Sequence, residues 1–562
     1  MLIEQIKQTT FDEKTYDEWQ EIATKSLRGL SFEKLITKTI EGIDLYPLYT
    51  AQSSKLDSLH PIRSAKKENG WTIAQAVYSK DASSFLQSLE ESLSKGNEAI
   101  VYDGTSTIDW DEESLKELAQ YVIQYPIYFF KVPKKDSIVN LFKWIDETDK
   151  ENVIGVVEID DPSILESFPN IRTIGADVVD AHHLGADAVT ELALVLAKAV
   201  AETEKAGDFN RVCQQFFVRF AIDTHFFMEI AKLRAFRVLW EALSNAYGKT
   251  DVLHIPLLSE TSKRSFSTLD PYVNLLRAGN SAFSAVLGGT DILTVHPHDA
   301  LTKPTATSIR LARNIQLVIK KETQVSEVLD PAGGSYFIES LTKSLVEKAW
   351  ALFVEIDAFG GYDLYIQSDG YQARMDKLHA KRVQSVAKAT HSLVGTNVYA
   401  DLAANDEIEA SLQVAGRLAE PFEMFRKAFK EQQPTVALVT FGELKDFKAR
   451  ADFVSGFFAT GGIETTQSPA FQTAEEAAEW VNETPVDHLV ICATNERTEE
   501  VLAPFLAKMS KEIVIDVAGK YNETLTNDWV SKGVDGFIYM GLNKLEKFSE
   551  VLKRLKGDAV HE

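Results

Sequence analysis

The sequence predicts an α/β protein in two parts, a (β/α)8 TIM barrel followed by a smaller flavodoxin-like, doubly wound domain. Three observations carry that expectation. A chain of 562 residues is too long for one ordinary core. Between about residues 95 and 360, candidate strands alternate with helical stretches eight times, the number that a closed parallel barrel requires. Beyond Pro434, five further strand and helix pairs follow, the makings of an open doubly wound sheet that binds ligands at the carboxyl ends of its strands.

The eight barrel candidates are Ile100 to Tyr102, Ile127 to Val132, Val153 to Glu158, Thr173 to Val179, Gln215 to Ile222, Val252 to Leu258, Asp291 to His296 and Ser335 to Glu339. The fifth is the clearest. Phe216 to Ile222 is apolar enough for a strand covered on both faces. From His225 the spacing changes, and Met228, Ala231, Ala235, Val238 and Leu239 recur at helical intervals with Glu229, Lys232 and Arg234 between them. In the second part, strands are expected at Val436 to Thr440, near Ile463, and at His488 to Ala493, Ile513 to Val517 and Gly536 to Met540. Helices should start near Lys448, Thr473, Thr498, Thr526 and Leu545. The domain limits are then an arm over 1–45, the barrel over 46–390, a charged helical linker over 391–433 and the second domain over 434–562.

Composition narrows the function. Hydrophobic residues at 45% and charged residues at 25% describe a globular protein, and no run approaches the length of a membrane helix. A net charge of −24 argues against nucleic acid and anionic membrane as partners. Cys213 and Cys492 fall in separate predicted strands, so they offer neither a disulfide framework nor a thiolate metal site. The first twenty residues carry Glu4, Asp12, Glu13, Asp17 and Glu18 without an apolar stretch, so a cytoplasmic location is expected.

The string Met228-Glu229-Ile230-Ala231-Lys232-Leu233-Arg234-Ala235, followed by Arg237, Leu239 and Trp240, resembles a signature of the methylmalonyl-CoA mutase family. Further strings agree. In the arm, Trp19, Ala23, Lys25, Leu27, Arg28 and Gly29, then Gly42 to Thr50, resemble the segment that wraps a partner subunit in that family. Asp270-Pro271-Tyr272-Val273-Asn274, Gly288-Gly289-Thr290, Arg310 to Gln316, Asp330 to Tyr336 and Leu393 to Tyr399 resemble others. The Gly333-Gly334 pair has two readings, a tight turn or a backbone nest for phosphate. The resemblance covers nearly the whole chain and implies a coenzyme-A-binding barrel with a cobalamin-binding C-terminal domain.

The groups that carry the family's chemistry are replaced. Counting back from Leu184-Gly185-Ala186-Asp187-Ala188, Val179 stands at the family's tyrosine and Asp180 at its histidine. Leu258 stands at a second histidine, and Ala74 replaces an arginine. His182 and His183 are displaced, read as polar loop residues, and face apart, so they cannot share a metal. In the family's DxHxxG cobalamin motif only Gly442 matches, with Leu444 at the aspartate, Asp446 at the axial histidine and Ala449 at the last glycine. A carboxylate is a poor substitute for an axial imidazole.

The resemblance therefore implies the smaller, non-catalytic chain of a bacterial heterodimer. It would bind no cofactor or metal itself and would pair with a larger subunit that holds adenosylcobalamin. That complex interconverts methylmalonyl-CoA and succinyl-CoA in propionate metabolism. Two rivals stand beside this reading: a self-sufficient acyl-CoA mutase with a rearranged site, and a retired mutase serving as a regulatory acyl-CoA-binding module.

Overall fold

The computed structural model describes residues 14–52, 59–66, 68–249, 254–403, 414–510 and 513–555, with residues 3 and 7 beside them. Strands β1 (Thr37–Lys38) and β2 (Asp44–Leu45) form a short antiparallel ribbon in the arm. Nine strands follow in the first part: β3 (Thr72–Ala74), β4 (Ile100–Asp103), β5 (Ile127–Val132), β6 (Gly155–Ile159), β7 (Ile171–Arg172), β8 (Ile174–Asp177), β9 (Phe216–Ile222), β10 (Leu257–Thr261) and β11 (Ile292–Thr294). They lie in two parallel sheets, in the orders β4-β5-β6-β7 and β3-β11-β10-β9-β8. The sheets meet at both edges. Only Thr173 separates β7 from β8, and a parallel bridge joins Ala76, just past β3, to Val101 of β4.

The expected eighth strand is placed differently. Ser335 to Glu339 is not a strand: Ser335 caps the helix Tyr336–Phe359, its hydroxyl accepting from the Ile338 amide. Local sequence decides this, because a serine followed by a long run without proline starts a helix well. The missing strand is β3, far earlier in the chain, which pairs with β11 in the register Ile73 with Leu293. Two boundaries also move. Val179 opens the helix Val179–Leu184 and does not end a strand, and β10 begins at Leu257. Part of the range expected for that strand, 252–253, lies outside the described residues.

Every residue of β9 is buried, and Phe216 stacks on Trp240 at 5.2 Å between ring centroids. The signature helix is Phe226–Ala246, and its three cations are structural. Lys232 Nζ donates to Glu191 Oε2 at 2.8 Å and to the Ala221 carbonyl at 2.9 Å. Arg234 donates to Asp330 and, at 2.5 Å, to Glu339. Arg237 donates to the Ile255 carbonyl at 2.9 Å and to Asp291 at 2.7 Å. Charges this deeply buried persist only when paired, so one helix fastens the segments that carry several of the sequence's recognisable strings.

The second part is a five-stranded parallel sheet of β12 (Val436–Phe441), β13 (Thr465–Phe471), β14 (His488–Cys492), β15 (Val514–Ala518) and β16 (Gly536–Ile538), in the order β13-β12-β14-β15-β16. That is the flavodoxin-like order. The strand expected near Ile463 starts two residues later, and the first helix, Leu444–Ala459, starts four residues before Lys448. Leu269, Val386, Leu393 and Phe422 share one buried cluster with Val436, Val454 and Phe548, so an apolar seam joins the two parts. Lys544 Nζ adds a hydrogen bond across it to the Asn397 carbonyl at 2.7 Å. No helix among the described residues is long and apolar enough to cross a membrane.

The arm contrasts with both parts. Its helix is Tyr16–Ser26 and buries none of its residues, and Trp19 lies against two nearby rings, Tyr16 at 5.4 Å and Phe32 at 6.1 Å between centroids.

Candidate functional site

The carboxyl ends of the first-part strands open into a cavity of about 410 Å3. Its polar wall is built from opposite charges on neighbouring strands. Arg219, in the middle of β9, donates to Asp177 of β8 at 2.7 Å and to Glu260 of β10, and its guanidinium lies 3.8 Å from the centre of the Phe130 ring. Burial alone would push the Glu260 carboxyl up, but Arg219 and then His296 hold it well below its ordinary value. His296 Nε2 stands 3.4 Å from Glu260, and His296 Nδ1 stands 2.9 Å from the Tyr78 hydroxyl. Lys131, a non-glycine residue at φ +50° in β5, reaches Asp180 at 2.6 Å. Such backbone strain, set where a strand opens onto a cavity, turns the lysine toward the mouth.

The structure separates the residues that the sequence had grouped. Val179 and Asp180 both line the cavity. Leu258 lies beneath it, buried with Val101, Phe130, Phe217 and Ile292, and Ala74 belongs to the same cluster. His182 and His183 are not loop residues. Both are buried in the helix Val179–Leu184, with rings at 83° and centroids 5.6 Å apart. His182 is spent on Glu191 at 2.7 Å and Ser262 at 2.8 Å, whereas His183 lines the cavity. No group of three or more metal-ligating side chains stands together among the described residues. The Gly333-Gly334 turn holds the protein's own carboxylate, since the Gly334 amide donates to Glu339 Oε1 at 3.0 Å. That favours the turn over the phosphate nest.

A second candidate site is the crevice outside the carboxyl ends of β12, β14 and β15. Gly442 sits at φ +92°, and a Cβ there would stand 2.7 Å from Asp446 Oδ2. Asp446 is committed to the helix start, accepting from the Glu443 amide at 2.8 Å in a reciprocal cap. Leu444 is 62% exposed, and Ala449 is exposed as well. One turn on, Arg450 crosses the strand ends, donating to the Ala518 carbonyl and the Tyr521 hydroxyl at 2.9 Å each, and to Ala493 and Asn495.

The family model for methylmalonyl-CoA mutase matches residues 164–444, half of the chain. The chain belongs to the methylmalonyl-CoA mutase family. The methylmalonyl-CoA mutase small subunit of Porphyromonas gingivalis is 26% identical, over 94% of this chain and 95% of its own length. That of Propionibacterium freudenreichii subsp. shermanii is 25% identical, over 96% of this chain and 95% of its own. The methylmalonyl-CoA mutase of Cereibacter sphaeroides is 30% identical over 70% of this chain, a match spanning 65% of that longer protein.

A cobalamin, the cofactor expected in this mutase family, does not fit the residues at the crevice. Asp446 is a carboxylate already engaged by backbone, and Arg450 with Tyr521 occupies the strand ends. The residues that define both sites in the structure, Arg219, Glu260, Lys131, His296 and Arg450, were not singled out from the sequence. One signal was available for the first of them. An arginine amid the apolar run of β9 has to find a carboxylate on a neighbouring strand.

Proposed function

We propose that this chain is the small subunit of a methylmalonyl-CoA mutase, the non-catalytic partner of a larger subunit that holds adenosylcobalamin. The assembled isomerase would work in the cytoplasm, interconverting methylmalonyl-CoA and succinyl-CoA in propionate metabolism. In this reading the ring of strand pairings from β3 to β11 is a (β/α)8 barrel, and the five-stranded sheet is a degenerate cobalamin-type domain. Val179, Asp180 and Leu258 do no chemistry, and Gly442, Leu444, Asp446 and Ala449 hold no cofactor.

The observation that carries the proposal is Asp446. At the position of an axial imidazole, its carboxylate caps the helix it starts, and Leu444 beside it points to water with no group to orient a ligand. Near end-to-end similarity to chains named small subunits supports the same reading. The exposed arm supports the pairing, because each large apolar side chain that it buries on a partner would contribute about 1.5–3 kcal/mol.

Purification decides it. The tagged chain should co-elute in equal amount with a larger mutase subunit, and deletion of residues 1–35 should abolish co-elution while both parts stay folded. Alone, after incubation with cobalamin, the chain should show no corrin absorbance. A stoichiometric corrin spectrum that survives desalting would overturn the assignment.

A further inference from the structure

The cavity at the barrel mouth has spare binding capacity that the internal pairs do not consume. Of the carboxylates that line it, Asp180 is taken by Lys131 and Glu260 by Arg219. Asp103 accepts from the amide and hydroxyl of Thr105 at 3.0 and 2.7 Å. Two donors remain. Lys263 lines the wall without an ion pair among the described residues, and its charge acts on His183, His296 and Glu260 alike. His183 is 9% exposed, and its Nε2 is buried without a hydrogen-bond partner. A buried polar atom left unmatched in a native fold points to a missing partner. Apolar side chains share the lining: Val101, Phe130, Val179, Leu184 and Val414.

We propose that the mouth binds a small free carboxylic acid as its anion. The carboxylate is held by Lys263 Nζ with the His183 ring beside it, and the short hydrocarbon end rests on the apolar side chains of the lining. A cavity of about 410 Å3 lies at the small end of the range for ligand pockets, ~300–1,000 Å3, which suits a compact acid. The site asks no turnover of the chain, so it stands apart from the subunit reading. It also touches the linker, since Val414 and Ala415 line the cavity and the Leu418 amide donates to the Arg264 carbonyl at 3.0 Å. An occupant therefore fastens the linker to the barrel, and amide exchange at 414–418 slows when the site fills.

The test is saturation-transfer NMR on the full chain with sodium butyrate as probe, sodium chloride matching the ionic strength and butyramide as the neutral isostere. Butyrate should receive saturation, most strongly at its methyl group, and butyramide should not compete. Lys263→Gln should weaken butyrate binding by about tenfold or more, and His183→Phe, which keeps the ring and removes the nitrogen, should do the same. Arg310→Gln, exposed and outside the mouth, should bind as the parent does. The proposal fails if butyrate at about 20 mM receives no saturation, a level that would detect millimolar affinity. It also fails if butyramide binds equally, or if the Lys263→Gln titration superimposes on the parent's.

Discussion

Gly416 packs directly on the carbonyl oxygen of His183, so close that a Cβ at residue 416 would collide with it. The contact seats the segment around residue 416 on the helix Val179–Leu184, which lines the cavity. Gly416 also holds φ +72°, a conformation that other residues adopt at a cost.

Two glycines separate those effects. Gly207 has a similar φ of +68° but open space around it, so Gly207→Ala should cost only the backbone term, about 1–2 kcal/mol. Gly416→Ala should cost about 1–3 kcal/mol more, because the linker has to lift from His183. Urea unfolding of both variants, with proteolysis near residue 416 as a local readout, checks the difference.

Arg234 is wholly buried against Asp330 and Glu339. Removing the cation leaves two carboxylates buried without it, and breaking a buried pair costs about 3–5 kcal/mol. Arg234→Met should therefore unfold the first part at markedly lower denaturant. Double replacement with Asp330→Asn should recover part of the loss, and a cycle of the single and double variants measures the coupling.

Acid stability should depend on Asp516. Burial alone would push this carboxyl up, but His488 at 2.8 Å and Lys547 at 2.7 Å hold it down at about 2. Because its folded value lies below the unfolded value of about 3.9, the stabilisation is complete above pH ~4 and is lost as pH falls toward about 2. The contribution is about 2–3 kcal/mol. The stability gap between parent and Asp516→Asn should be widest above pH ~4 and should narrow toward pH ~2, as read by urea unfolding across that range.

Asp180→Ala and Asp446→Ala should each leave turnover of the assembled enzyme within about twofold, a barrier change of ~0.4 kcal/mol. Asp446→Ala should still lower stability by about 0.5–2 kcal/mol through the lost cap. Turnover normalised to bound cobalamin is the measurement. A hundredfold loss on changing Asp180, with assembly intact, would mean that this mouth does chemistry.

The sequence by itself determined what depends on neighbours within a few turns. The apolar run of β9, its change to helical spacing at His225 and the alternation after Pro434 are local signals, and they placed most strands to within a few residues. Recognisable strings such as Met228 to Trp240 carried the family for the same reason. Tertiary structure decided the rest. Strand β3 is three residues long and exists because β11 pairs with it, so its periodicity was too short to read. Ser335 to Glu339 is the exception, a local matter: its aromatic residues suit a strand, yet its serine cap and the length of the run behind it make a helix. Arg219 and Glu260 stand 41 residues apart, and His183 and Lys263 meet one cavity from different segments. A pairing of charges across strands follows from how the strands are stacked, and no spacing along the chain encodes it.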